Sequence, residues 1–195
     1  MTIGMMNNRI YITLCLVIVS VMPTLVNAEN VADLMQGISK NKNNLSHYIE
    51  TKHAFYLDEP LKSEGIIEFR APNTLIKKTI KPFLLTQVYS NNSIRTTEAN
   101  GDETTFDLSS QPAIAILFQT LLGVITGNEK TIKENFDITI NNKQKKWTII
   151  LSPKKESLKS WYKNIKISGA QFIIKRIKIV EANNDMTIMD LNEPS

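Results

Sequence analysis

Apolar and polar residues alternate along most of the chain between residues 45 and 108, in short segments separated by turn-forming residues. Alternation with a period of two, together with β-branched and aromatic side chains, predicts strands with one apolar face. Asn91-Asn92 and Asn100-Gly101 are hairpin signals, and the spacing of the segments is typical of an antiparallel meander. Six strands are predicted in this half of the chain, over residues 45–57, 63–70, 74–80, 83–89, 93–97 and 103–108.

The same period returns after residue 135 and predicts five further strands. Turns are expected at Gly169-Ala170 and Asn183-Asn184. About eleven antiparallel strands in one sheet tend to curl, which leaves a concave side to be covered. The later strands are predicted over residues 136–141, 146–152, 161–168, 171–181 and 185–191. Short helices are predicted over 129–135, over part of 153–160, and from Asn30 or Asp33 to between Lys40 and Asn43.

One segment breaks the alternation, because residues 108–128 contain no charged side chain. Its large apolar residues recur at helical spacing, and the other side of that helix is also mostly apolar. Ser109 or Ser110 is expected to cap the helix, Pro112 suits its first turn and Gly127 its C-terminal end. We therefore predict a mainly β fold in which this helix covers the concave side of the sheet. The apolar stripe consists of Ile114, Leu117, Phe118, Leu121, Leu122 and Ile125.

Residues 1–28 have the pattern of a secretory signal peptide. Arg9 precedes an apolar run, and Val26-Asn27-Ala28 supplies the small residues of a cleavage site, so cleavage is expected after Ala28. The remaining residues, 29–195, are predicted to form a single domain. The sole cysteine, Cys15, lies in the leader, which excludes disulfides and thiolate metal sites from the mature chain. An exported domain of this kind fits a bacterial periplasm.

The charge pattern offers little support for nucleic-acid binding. Loss of Arg9 with the leader changes the formal net charge from +4 to +3, and the lysines are scattered along the chain. Basic patches that bind nucleic acid are clustered and interleaved with aromatic residues, and no such run occurs here. The lysines are therefore interpreted as a solubilising surface.

Residues that could carry out catalysis or bind a metal are few. His47 and His53 lie about 20 Å apart on one extended strand, too far for a shared metal or a proton relay. The acidic pairs Asp58-Glu59 and Asp102-Glu103 lie at turns, where neighbouring side chains diverge. The motifs of nucleophilic hydrolases, zinc proteases and phosphate-binding loops do not occur. We predict no enzymatic activity, no catalytic residue, no cofactor and no metal.

The apolar helix suggests a binding function instead. Its aliphatic side chains resemble an acyl chain in polarity, so cargo and helix could compete for the same concave surface. Each buried methylene of a cargo contributes about 0.8 kcal/mol, which makes such an exchange nearly balanced. The alternative is an ordinary buried helix over an ordinary sheet, and the pattern alone leaves both open.

Several short motifs occur in order along the whole mature chain. They are Phe69-Arg70-Ala71-Pro72-Asn73-Thr74-Leu75, Lys81-Pro82, Gln111-Pro112, Trp147-Thr148-Ile149-Ile150-Leu151-Ser152-Pro153, Ile177-Lys178-Ile179 and Asp185-Met186-Thr187. In this order and spacing they resemble the LolA-like family of periplasmic proteins. The resemblance implies an unclosed antiparallel β-barrel of about eleven strands, with a helical lid over a hydrophobic cavity. It also implies an acylated lipoprotein or another lipid as cargo, an inner-membrane exporter and an outer-membrane acceptor.

By the same resemblance, Arg70 occupies the position of a latch that hydrogen-bonds the lid and holds it closed. One departure concerns the motif itself, because Ala71 intervenes here between the arginine and the proline. That departure fits a branch whose cargo is a lipid or acylated product other than a lipoprotein.

Together these observations predict a monomeric, non-enzymatic periplasmic carrier that binds acyl chains and delivers them toward the outer membrane. The lid is residues 111–126, with the stripe named above facing the cavity. The alternatives are an envelope interaction module that uses the curved sheet as a protein-binding scaffold, and, more distantly, a lipid-ester hydrolase. Strand residues predicted to line the cavity are Phe69, Ile138, Trp147 and Ile149.

Overall fold

The computed structural model describes residues 31–41, 45–143 and 145–192, so the predicted leader lies outside the described residues. Its helices are α1 (Val31–Ser39), α2 (Pro112–Thr126), α3 (Glu129–Lys133) and α4 (Glu156–Lys159), with a 3-10 turn at Leu108–Ser110. Its strands are β1 (Leu45–His53), β2 (Leu61–Arg70), β3 (Thr74–Lys81), β4 (Leu85–Ser90), β5 (Ser93–Glu98), β6 (Glu103–Asp107), β7 (Phe136–Lys143), β8 (Lys146–Pro153), β9 (Tyr162–Ala170), β10 (Ile173–Glu181) and β11 (Met186–Asn192).

The strands form one antiparallel sheet of eleven strands in the order β6-β5-β4-β3-β2-β1-β11-β10-β9-β8-β7. Two meanders, β1–β6 and β7–β11, join where the first strand pairs with the last, with Tyr48 opposite Leu191. The strands β6 and β7 form the two edges and do not pair with each other, so the sheet is not closed. The predicted fold class, a mainly β, unclosed sheet with helices, is confirmed.

The strand order explains why the apolar segment covers the sheet. Strands β6 and β7 are consecutive in the chain but lie at opposite edges, so the connection between them must cross a whole face. Helices α2 and α3 occupy that crossing. A connection that crosses the apolar face of a curved sheet is covered on most sides, which accounts for the absence of charge between residues 108 and 128.

The packed core occupies only one half of the concave face. Residues of α1 and α3 pack against β7, β8 and β9, where the inward side chains are almost fully buried. Side chains from β1 to β6 do not belong to this cluster of buried residues. The core cluster consists of Leu34, Met35, Ile38, Ala113, Val124, Ile132, Phe136, Trp147, Ile149, Leu151, Leu158, Tyr162, Ile165 and Ile167.

Local signals in the sequence correctly located most turns and helix ends. Asn91 and Asn92 both have positive φ, as a tight hairpin between β4 and β5 requires. Gly127 ends α2 in the left-handed conformation with φ 75°, and the Asn128 side chain accepts a hydrogen bond from the Thr131 amide to cap α3.

Two local predictions were wrong. The Asp107 carboxylate, not a serine, accepts the first free amide, from Ser109 at 2.8 Å. A 3-10 turn intervenes before α2, so the serines lie one turn too early to cap it. The turn between β9 and β10 is at Gln171, which has φ 52°, and not at Gly169-Ala170. Gly169 lies within β9, and the position needs a glycine for packing and not for a turn, because a Cβ there would lie 2.5 Å from the ring of Trp147.

Candidate functional site

An apolar cavity of about 260 Å³ lies between α2 and the half of the sheet that the packed core leaves uncovered. This volume is just below the range of about 300–1,000 Å³ that is typical of small-molecule sites. Strands β1 to β4, β10 and β11 form the floor, and α1 with the β9–β10 turn closes one side. The apolar wall consists of Ile38, Ile67, Phe69, Leu75, Tyr89, Leu117, Phe118, Leu121, Ile125, Phe172, Ile173, Ile174, Ile177, Ile179, Met189 and Leu191.

Helix α2 has two different apolar faces. Its small residues are buried, with Ala113 and Val124 in the packed core and Gly123 close against Ile132 of α3. Its large side chains are only partly buried. Small residues permit the close approach that anchors the helix, and the large residues are left to form the roof of the cavity.

The predicted stripe of α2 divides between two cavities. Four of its residues, Leu117, Phe118, Leu121 and Ile125, line the large cavity. Leu122 lines a second cavity of about 160 Å³ on the other side of Phe118, near the β4–β5 turn. Ile114 lines neither of the two.

The stacked rings of Tyr89 and Phe118 form the wall between the two cavities. Both residues line both spaces, and their ring centroids lie 3.9 Å apart with 28° between the planes. Tyr89 is almost fully buried, and burial raises the pKa of its hydroxyl, with a smaller contribution from the Glu50 carboxylate. The ring pair therefore joins α2 to β4 through a neutral, largely apolar contact.

Of the strand residues predicted to line the cavity, the structure places only Phe69 there. Trp147 and Ile149 are buried in the packed core, and Ile138 packs against it. All three face the concave side, as their alternation predicted, because Ile138 lies opposite Leu151 and Ile149 lies opposite Ile167. They miss the cavity because α1 and α3 already fill that half of the sheet.

The sequence did not identify the cavity residues on β10 and β11. Ile177 and Met189 are paired neighbours, and Met189 in turn lies opposite Glu50 of β1. This wall exists because the first strand pairs with the last, a long-range contact that alternation cannot reveal. Phe172 was also missed, although it packs closely against Gly37 of α1 and closes one side of the cavity.

One ion pair lies in the cavity wall, whose other polar residues, Ser39, Asn41, Ser46 and Thr187, are uncharged. The Lys77 ammonium contacts both carboxylate oxygens of Glu50, at 2.8 and 2.9 Å, and the two side chains are 14% and 21% exposed. The same ammonium lies 5.0 Å from the centroid of the Tyr48 ring, within cation–π range. The Tyr48 hydroxyl is hydrogen-bonded to the Thr79 hydroxyl at 2.8 Å.

The structure places Arg70, the predicted latch, on the outer face of the sheet. Its guanidinium donates to both carboxylate oxygens of Glu68, at 2.7 and 3.0 Å, and its side chain is 58% exposed. The hydrogen bond from Arg70 lowers the pKa of Glu68, and the same contact raises the pKa of Arg70. Phe69 points to the cavity, so its neighbour Arg70 must point away from α2. The structure thus corrects the predicted contact between Arg70 and the lid.

Within the described ranges, no group of three or more histidine, cysteine or acidic side chains is arranged to hold a metal ion. In the same part of the chain, no helix is both long enough and apolar enough to cross a bilayer.

Comparison of the chain with known proteins identifies its family. The family model described as "Outer membrane lipoprotein carrier protein LolA-like" matches residues 23–190. No curated protein sequence matches the chain.

Similar solved structures include a LolA superfamily protein from Nitrosomonas europaea, with a TM-score of 0.44 and 9% identity over 85% of this chain and 91% of that one. LprF from Mycobacterium bovis has a TM-score of 0.35 and 11% identity, covering 85% of this chain and 96% of that one. The MucA/MucB complex of Pseudomonas aeruginosa has a TM-score of 0.46 and 6% identity, covering 84% of this chain and 56% of that one. The family model spans most of the chain, and this protein therefore belongs to the LolA-like family.

Proposed function

We propose that this protein is a periplasmic carrier that binds acyl chains of a lipoprotein or another lipid in the cavity beneath α2. The observation that supports the proposal is the pairing of an unfilled apolar space with a helix whose large side chains are only partly buried. In the proposed cycle an inner-membrane exporter loads the protein as a monomer, and an outer-membrane acceptor unloads it. Neither step requires catalysis, a cofactor or a metal.

The size of the cavity sets the energy of binding. If a methylene occupies about the volume of a water molecule, roughly 30 Å³, the 260 Å³ cavity holds about eight methylenes. At about 0.8 kcal/mol each, their burial contributes about 6 kcal/mol before the entropy of ordering the chain is subtracted. Such binding is strong enough to protect a chain from water and weak enough to permit release.

The contents of the protein as purified from the periplasm test the proposal directly. We expect solvent extraction followed by mass spectrometry to release an acylated molecule in stoichiometric amount. Protein that is fully folded and empty would contradict carrier function and would favour the protein-binding scaffold. Turnover of an acyl ester by the purified protein would instead indicate a hydrolase.

Substitutions in the roof of the cavity test its location. Leu117→Asp and Leu121→Asp each place a carboxylate against the bound chain, so both should weaken binding of the uncharged dye N-phenyl-1-naphthylamine by at least about tenfold. Leu84→Asp is the matched control, because Leu84 is exposed in the β3–β4 turn and does not line the cavity. Unchanged affinity in both roof variants would exclude α2 from the site.

Determination of the N-terminal sequence of the mature protein tests whether it is exported. Cleavage after Ala28 predicts that protein recovered from the periplasmic fraction begins at Glu29. Retention of the leader on membrane-associated protein would contradict this part of the proposal.

A further inference from the structure

The Glu50–Lys77 pair is the charged feature of the cavity wall, and it is built into the sheet. The two residues lie on β1 and β3, on either side of β2, so their side chains must reach across a strand to meet. Register places Glu50 opposite Ser63 and Lys77 opposite Ile67, which puts Gly65 between them on the same face. A Cβ at Gly65 would lie 1.9 Å from the Lys78 carbonyl oxygen, so the glycine permits the close approach of β2 and β3 at this point.

Two hydrogen-bonded side chains, Tyr48 and Thr79, lie beneath the ion pair. Tyr48 and Thr79 are the two partners of Gly65 on the neighbouring strands, and their hydroxyls meet across it. Tyr48 is 1% exposed, and the Lys77 ammonium lies over its ring. Lys77 is thus held from below by an aromatic face and from the side by a carboxylate, and both members of the ion pair line the cavity.

The pair has no net charge, but it can both donate and accept hydrogen bonds. The ammonium has three N–H groups, of which two at most are used by Glu50. The carboxylate has about four acceptor positions, and its additional protein contact, from the Ser63 hydroxyl, is long at 3.5 Å. A neutral polar group in the cavity could therefore accept a hydrogen bond from Lys77 without separating the pair, and a hydroxyl or an amide N–H could also donate to Glu50.

We infer that the Glu50–Lys77 pair binds the neutral polar group at the end of an acyl chain, such as an ester, an amide or a hydroxyl, and discriminates against acyl chains with a free carboxylate or amine. This inference rests on the proposed function and specifies the chemical class of its cargo. A carboxylate that accepts from the free N–H of Lys77 would lie beside the Glu50 carboxylate in a largely apolar space, where the two negative charges repel each other. An amine that donates to Glu50 would in the same way lie beside the Lys77 ammonium.

The inference is tested by displacement of bound N-phenyl-1-naphthylamine by three amphiphiles. Monooleoylglycerol, oleic acid and oleylamine carry hydrocarbon tails of the same length and differ in their polar end group. The assay is run at a pH where both the acid and the amine are charged. We expect the neutral competitor to bind at least about tenfold more tightly than either charged one. In Glu50→Gln the ammonium of Lys77 has no carboxylate partner, so the affinity for oleic acid should rise at least about tenfold relative to that for monooleoylglycerol. In Lys77→Gln the affinity for oleylamine should rise by the same factor.

The matched control is Glu68→Gln, which removes the carboxylate of an exposed ion pair on the outer face of the same sheet. It should leave all three affinities unchanged. If one cavity variant does not fold, the other variant and the ranking of competitors on the unaltered protein still decide the question.

The outcomes separate this inference from the proposal on which it rests. Equal affinities for the three amphiphiles, unchanged in both cavity variants, would overturn the headgroup assignment while the carrier proposal stands. Absence of dye binding, or of displacement by any of the three, would contradict the carrier proposal and the headgroup assignment together. Inverted selectivity in the variants would support both.

Discussion

Removal of the Phe118 ring should join the two cavities and change the length of acyl chain that the protein prefers. Phe118 and Tyr89 form the wall between a space of about 260 Å³ and one of about 160 Å³. In Phe118→Ala the ring is lost, while the helix keeps the small-residue face that anchors it. A chain that ends at this wall in the unaltered protein can then continue toward the β4–β5 turn.

The volume of the second cavity sets the upper limit of the effect. About 160 Å³ accommodates roughly five methylenes at about 30 Å³ each, which corresponds to about 4 kcal/mol at 0.8 kcal/mol per methylene. Ordering the additional chain offsets part of this free energy. We therefore expect a net gain of about 1–2 kcal/mol, or roughly five- to thirtyfold in affinity, for long chains relative to short ones.

The assay is competition between N-phenyl-1-naphthylamine and a series of monoacylglycerols of increasing chain length. The variant should be less stable by about 2–3 kcal/mol, because it loses apolar burial and a stacked ring pair. Denaturant unfolding followed by fluorescence of the buried Trp147 verifies that it is folded. Phe83→Ala is the control, because Phe83 is exposed and lines neither cavity. The same chain-length preference in Phe118→Ala and in the unaltered protein would refute the role of the ring as a partition.

Three further predictions concern the structure around the site. Gly169→Ala should lower the free energy of unfolding by about 3 kcal/mol in denaturant titration, since the new Cβ would lie 2.0 Å from the Ile173 carbonyl oxygen. Tyr162→Phe should cost about 1 kcal/mol at neutral pH by removing the hydroxyl that donates to the Ala113 carbonyl, and it should flatten the loss of stability at alkaline pH. Burial raises the pKa of Tyr162 from 10.0 to about 12, so the stability linked to it is complete below pH 10.0 and is lost as the pH rises to about 12. The amide of Ser109 lowers the pKa of Asp107 from 3.8, so Asp107→Asn should reduce the loss of stability on acidification, measured by unfolding from neutral to acidic pH.

Most of the fold could be predicted from the sequence because the faces of the strands and the positions of the turns depend on neighbouring residues. Alternation assigns each strand an inner and an outer face, and the hairpin residues Asn91 and Asn92 determine where the chain reverses. The apolar segment was recognisable as a covering helix because residues 108–128 contain no charge and their large apolar side chains recur at helical spacing. The eleven strands and the helix after the sixth follow from these signals.

The position of the cavity could not be predicted in the same way. Alternation places Trp147 and Phe69 on the same concave face, and the structure shows that one is packed and the other lines open space. The difference depends on where α1 and α3 lie, which is a property of long-range packing. The position of Arg70 shows a further limit, because a resemblance in motif assigns a role to the residue but does not reveal that its guanidinium pairs with Glu68.

The two faces of α2 indicate which part of the molecule moves when a long chain enters. Ala113 and Val124 belong to the packed core, so withdrawal of the helix would open that core and cost several kcal/mol. Strands β3 to β6 contribute nothing to the core cluster, and the ring pair of Tyr89 and Phe118 is one contact between them and the helix. A stacked pair contributes only about 0.5–1.5 kcal/mol beyond its buried area. We therefore expect the helix to stay in place while these strands move away from it, so that cargo enters beside the helix and does not have to displace it.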